Sequence, residues 1–229
     1  ELCIGTAEHP FAGTFEGGGY TITYRGGKRA LFGYLSAKAS VSGLTVAGDL
    51  SSSTLFAAAI ADVNYGSIFD CKVQDLSFTL GESVRYAGAV TALNYGTVTD
   101  CMAGARFSGC DGMQVFAGGI AGYNKGSVSS SVVTVRYEGF SETDIENNYE
   151  GSFSNHGVGA VTGVDEGEVQ GCGAERSEDY LTDSRAEGVS FLTAEDLYDP
   201  DYIFLSVGFS HSVWEYVGGT YSIKAGGAL

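Results

Sequence analysis

Proline is nearly absent, at two residues in 229, and tryptophan occurs once. Basic residues are also scarce: 12 Lys plus Arg stand against 28 Asp plus Glu, a net charge of −16. That field repels phosphate backbones and anionic lipid, so no nucleic-acid partner and no membrane surface is expected. No apolar run reaches membrane-spanning length, and "ELCIGT" at the start carries no basic signal-peptide region. Opening directly on a strand-like segment suggests a piece of a larger parent chain with other domains. The five cysteines, Cys3, Cys71, Cys101, Cys110 and Cys172, include no CxxC pair, which removes the usual zinc-knuckle and redox motifs. The three histidines, His9, His156 and His211, are scattered without metal-ligand spacing. No cofactor and no metal is therefore expected.

Glycine, by contrast, occurs 35 times, without the every-third-residue period of collagen. A hydrophobic fraction of 44% argues for a packed core, and the flanking Val, Ile, Phe, Tyr and Thr favour many short strands between tight turns. One phrase recurs: "VNYGSIFDCKV" (63–73), "LNYGTVTDCMA" (93–103), "YNKGSVSSSVV" (123–133) and "VDEGEVQGCGA" (164–174). Its glycine falls at Gly66, Gly96, Gly126 and Gly167, two residues after Asn64, Asn94, Asn124 and Asp165. The steps are 30, 30 and 41 residues, the last carrying an insertion around 138–156. Periods of this size mark solenoids, propellers or arrays. Like residues at like places let each rung stack on the one before, about 4.8 Å away. The phrase then reads as one corner of a coil, with Asn and Gly chosen for positive φ and the asparagine amides forming a ladder. A helical solenoid is disfavoured, because the repeats are rich in Gly, Val, Thr and Ser and lack a 3.6-residue period. A propeller blade needs longer repeats and ranks second.

The segments "PFAGTFEGGGYTITY" (10–24), "ALFGYLSAKASVSGLTVAG" (30–48) and "AGGIAGYNKGSV" (117–128) resemble the GLUG-motif proteins of bacteria. Phe11, Gly13, Phe15, Gly17, Gly19 and Ile22 match the opening pattern, and Phe32 and Gly33 match its second part. Trp214, Tyr216 and Tyr221 correspond to the closing piece, where Ser222 replaces the usual proline. The resemblance covers about 9–224. It implies a right-handed parallel β-helix in a large secreted or wall-attached protein, such as an adhesin or the non-catalytic region of an immunoglobulin-A peptidase. Fold transfers by such analogy more safely than function.

Asp70 and Asp100 share a phase on adjacent rungs and read as solvated turn acids, with a calcium site or acid/base pair as the alternative. Cys71, Cys101 and Cys172 read as buried free thiols, because Ser131 fills the same slot. The column Phe56, Tyr86, Phe116 reads as inward core stacking rather than a sugar groove. Tyr65 and Tyr95 read as an exposed corner pair for glycan or protein contact, and Lys125 continues their column. The insertion 138–156 adds Glu142, Asp144, Glu146 and Tyr149 as candidate partner contacts. A carbohydrate-active enzyme would need carboxylates with Arg or Lys in one cleft; Arg106 and Arg136 share a phase, but the nearest acids do not repeat with them. Thr193 is placed to cap a short helix through "AEDLY", after which Pro200 ends it.

The sequence thus predicts an all-β chain: a right-handed parallel β-helix of about 30-residue rungs over 1–189, and a C-terminal cap over 190–229 covering the last edge. The structural ladder is Asn64, Asn94, Asn124, Gly66, Gly96, Gly126 and Gly167. The expected function is non-enzymatic: an extracellular stalk or display platform, secreted or attached to the cell surface. Adhesion to a host or bacterial surface protein or glycan is its expected use. The alternatives are a β-helix lyase or glycosidase, or an accessory region of a secreted peptidase.

Overall fold

A computed structural model describes residues 3–109, 114–139, 157–175 and 188–224. The chain is mostly strand, and equivalent strands of successive repeats pair in parallel to make four sheets. A six-stranded sheet of three-residue strands runs from Thr14–Glu16 to Glu168–Gln170. A four-stranded sheet holds Phe56–Ala58, Tyr86–Gly88, Phe116–Gly118 and Gly157–Gly159. A five-stranded sheet holds Phe32–Leu35, Ala61–Asn64, Thr91–Asn94, Ala121–Asn124 and Thr162–Asp165. The seven-stranded sheet has the longest strands, among them Thr45–Ser52, Lys72–Leu80, Met102–Ser108 and Val132–Tyr137.

Register follows the sequence phrase: Tyr86 pairs with Phe56 and Phe116, and Asn94 pairs with Asn64 and Asn124. Parallel pairing at constant offset stacks like on like, so the interior is a set of ladders. Ile60, Val90 and Ile120 are buried, as are Ile68, Val98 and Val128. Phe78, Phe107 and Tyr137 stack at 4.8 and 5.4 Å with planes 12° apart.

The repeated phrase uses its residues differently from the expectation. None of its Asn or Gly positions has positive φ. The left-handed corner lies four residues after the glycine, at Asp70, Asp100, Ser130 and Gly171, with φ of 53°, 53°, 45° and 61°. The glycines are required by close approach instead. A Cβ at Gly96 would sit 2.1 Å from the Gly66 carbonyl oxygen, and one at Gly126 would sit 2.0 Å from that of Gly96. The asparagines form the ladder: Asn64 Nδ2 donates to Asn94 Oδ1 at 2.8 Å, and Asn94 Nδ2 to Asn124 Oδ1 at 2.7 Å. Asn124 Nδ2 donates to Asp165 Oδ1 at 2.7 Å, where a carboxylate ends the series. The Oδ1 atoms of Asn64 and Asn124 also accept the N–H of Gly66 and Gly126, so turn and ladder form together.

After Val189–Leu192, Thr193 caps a helix over Ala194–Tyr198 through a capping box with Asp196, as its sequence predicts. Pro200 does not simply stop the chain: it opens the next helical turn, Pro200–Tyr202, whose missing N–H is no loss there. A wider turn over Ile203–Val207 leads to an antiparallel hairpin, Trp214–Val217 with Thr220–Ile223. This segment buries Leu197, Ile203, Phe204, Phe209 and Trp214 against Leu192 of the last strand and against Met102 and Val132. It therefore lies on the outer face of the long-strand sheet, because positions 102 and 132 are apolar where that face would otherwise be wet.

Candidate functional site: a polar groove beside the C-terminal segment

Where the C-terminal segment leaves the long-strand sheet uncovered, a groove of about 500 Å³ opens between them. A register shift prepares its floor: Val73 pairs with Ala103 and Leu76 with Ala105, so Gln74 and Asp75 both oppose Gly104. Such a bulge bends the strand and re-aims a side chain. Asp75 takes φ of 49° and lines the groove. Gly104 leaves the floor low beside Thr134, whose Oγ1 would lie 3.2 Å from a Cβ there.

Arg106 and Arg136 pair directly on adjacent strands. Arg106 Nη1 lies 2.6 Å from Glu138 Oε1, and Arg136 Nη2 lies 2.8 Å from Glu175 Oε2. Arg136, Glu175, Asp75 and Lys72 all line the same groove. Lys72 is 8% exposed and donates from Nζ to the Tyr221 carbonyl at 2.6 Å. Burial holds its ammonium below the ordinary lysine value, and Asp75 opposes that shift. The Ala194–Tyr198 helix and the hairpin wall the far side, with Tyr198 65% exposed.

The acids of this cleft are the point the sequence missed. They come from a bulge and from the strand Cys172–Glu175, whose phases differ from those of the arginines. The acids and the arginines thus share one groove although their phases do not match. Lys72 and Tyr198 carried no signal, since one sits in the repeated phrase and the other in the helix.

Tyr65 and Tyr95 are elsewhere, stacked 4.9 Å apart with planes 11° from parallel and both exposed. Tyr95 lies 6.2 Å from Tyr123, which meets Tyr86 edge-on at 6.3 Å. Phe56 and Tyr86 are only half-buried and pack on Ala30, Ala58 and Ala92, a cluster separate from the main core. The column Phe56, Tyr86, Phe116 thus faces outward, correcting the inward reading. The reason is local: Ala57, Ala87 and Ala117, one residue on, take the core positions. Tyr123 donates to Glu166 Oε2 at 2.6 Å, which raises its phenol to about 12.

Asp70 and Asp100 are not solvated turn acids. Both are half-buried, and the Ser210 N–H donates to Asp100 Oδ2 at 3.3 Å. Burial, then the charge of Asp70, push Asp100 up to about 7, and burial also raises Asp70. Cys71, Cys101 and Cys172 are buried free thiols. Among the described residues no group of three His, Cys, Asp or Glu is arranged to hold a metal. Glu142, Asp144, Glu146 and Tyr149, like Cys110 and His156, lie outside the described residues.

No protein-family model, curated protein or solved structure matches the chain.

Proposed function

We propose that the chain is a non-enzymatic repeat module of the GLUG type. It is a right-handed parallel β-helix of about thirty-residue rungs with a C-terminal cap, from a secreted or surface-attached bacterial protein. It acts as a rigid platform that presents a binding surface to a surface protein or glycan. In-register ladders support the rigid platform, because each rung is held by its neighbours along the whole rod.

One observation carries the binding reading over catalysis. The two carboxylates lining the groove, Asp75 and Glu175, stand three strands apart, roughly 14 Å at about 4.8 Å per strand. Hydrolytic carboxylate pairs work at about 5–9.5 Å. Glu175 is moreover tied to Arg136 at 2.8 Å. The second reading, a carbohydrate-active enzyme, draws on the convergence of Lys72, Asp75, Arg106, Arg136 and Glu175 in one groove.

The test is a glycan panel on the immobilised chain, followed by chromatography of every bound saccharide after long incubation. Retention without shortening is the expected outcome. Release of shorter products would establish the enzyme instead.

A further inference from the structure

We infer that the aromatic corner is a stacking site for a short neutral saccharide, with a pyranose ring seated on the open face of Tyr65. This rests on the platform reading of the chain, and adds the site and the class of ligand.

Six rings form one connected network over three rungs. Tyr65 and Tyr95 stack at 4.9 Å, Tyr95 meets Tyr123 at 6.2 Å, and Tyr123 meets Tyr86 edge-on at 6.3 Å. Tyr86 in turn lies 6.2 Å from Phe56 and 5.6 Å from Phe116. Each ring is held by its neighbours before a ligand arrives, so binding has little left to order.

Within the Tyr65–Tyr95 stack each ring covers one face of the other. Lys125 follows Tyr95 in the column; on the opposite side the register places Ser36 beside Tyr65, since Leu35 pairs with Asn64. A side chain that short leaves the second face of Tyr65 without an aromatic cover. Tyr65 is accordingly the most exposed of the six rings, at 48%.

Charge and area select the occupant. The side-chain charges felt by Tyr95 are those of Lys125 and Glu166. These two pair at 3.4 Å, and the Tyr123 hydroxyl donates to the same carboxylate at 2.6 Å. The corner is thus locally neutral in a chain of net charge −16, which turns anionic polymers away. A cation seated over the rings would be repelled by Lys125. With Tyr65 and Tyr95 partly exposed and the other four rings half-buried, the network offers on the order of 350 Å², taking about 200 Å² per aromatic side chain. That is less than half of the roughly 800 Å² that each partner buries in a standard protein interface. A small ligand needs no more.

The chemistry of the surface points to a sugar. The C–H groups on one side of a pyranose ring form a flat apolar face, while its rim of hydroxyls seeks donors and acceptors. Among the described residues the phenols of Tyr65, Tyr86 and Tyr95 meet no hydrogen-bond partner, so flat rings and available hydroxyls occur together.

Titration calorimetry on the whole chain tests this with cellohexaose and maltohexaose as neutral probes, hexagalacturonate as the acidic one and choline as the cation. At least one neutral probe is expected to bind about tenfold or more tightly than hexagalacturonate. Tyr65→Ala should weaken that probe about fivefold or more, whereas Tyr65→Phe should stay within about twofold, because the ring face makes the seat. Tyr198→Ala, in the groove, should leave it unchanged. Tyr65→Leu, which keeps an apolar side chain but no ring, gives the same readout if Tyr65→Ala loses its thermal transition. No binding of either neutral probe, tighter binding of hexagalacturonate or choline, or an unchanged affinity in Tyr65→Ala overturns the inference. So does an equal loss in Tyr65→Phe, or a loss in Tyr198→Ala instead. Binding of hexagalacturonate or choline alone would leave the non-enzymatic platform standing. Shortened neutral products would remove that platform reading without touching the seat on Tyr65.

Discussion

Asn94 donates its Nδ2–H to the Oδ1 of Asn124 at 2.7 Å, and both side chains are fully buried. The same Asn94 accepts from Asn64 at 2.8 Å, so it is a link with a neighbour on each side. Removing it takes one of two partners from the Asn64 amide, which keeps the Thr97 carbonyl, and from the Asn124 Oδ1, which keeps the Gly126 N–H. Asn94→Ala is expected to cost about 1–3 kcal/mol, since two buried hydrogen bonds of the ladder are lost at about 0.5–1.5 each. Urea unfolding monitored by circular dichroism measures this, and a loss under about 1 kcal/mol would show that the ladder contributes little.

The glycines of the phrase and the glycines of the hairpin answer to different constraints. A Cβ at Gly126 meets the Gly96 carbonyl oxygen at 2.0 Å, whereas Gly218, at φ of 64°, has open space around it. Gly126→Ala should destabilise by about 3 kcal/mol or more, because backbone cannot yield as a side chain can. Gly218→Asn should cost less than about 1 kcal/mol, because asparagine tolerates the left-handed region. Thermal midpoints of the two variants check the contrast, and equal losses would contradict it.

The Asp70–Asp100 pair makes stability depend on pH in the direction opposite to most carboxylates. Asp100 titrates near 7 in the folded chain, against an ordinary value of 3.8. The folded state therefore holds a proton that the unfolded state releases. The resulting stabilisation is full below about pH 4 and is lost as pH rises through about 7. Asp100→Asn keeps an acceptor for Ser210 and carries no charge. It should raise the thermal midpoint at pH 8 relative to the parent, and the gain should shrink toward pH 4. A difference that does not change with pH would show that the pair does not titrate this way.

Legibility in the sequence followed the reach of each interaction. The pairing of Asn64, Asn94 and Asn124 was readable because a parallel ladder preserves phase, so sequence offset becomes spatial adjacency. The capping box at Thr193 was readable because its partners lie three residues apart. The corner chemistry was misassigned, since negative φ with close approach and positive φ both select glycine, and only the backbone path separates them. The outward turn of Phe56, Tyr86 and Phe116 was missed because an aromatic column looks the same from either side of a sheet.

Composition and period were enough to determine an all-β chain of stacked repeats with an internal asparagine ladder, because those features depend on local preference and constant offset. The groove was decided by tertiary structure alone. A one-residue bulge turned Asp75 outward, and a segment more than fifty residues beyond Arg136 came back to wall the sheet face. Neither event leaves a periodic trace, since a bulge breaks phase and the returning chain is held by apolar contacts at Met102 and Val132 that any core strand carries.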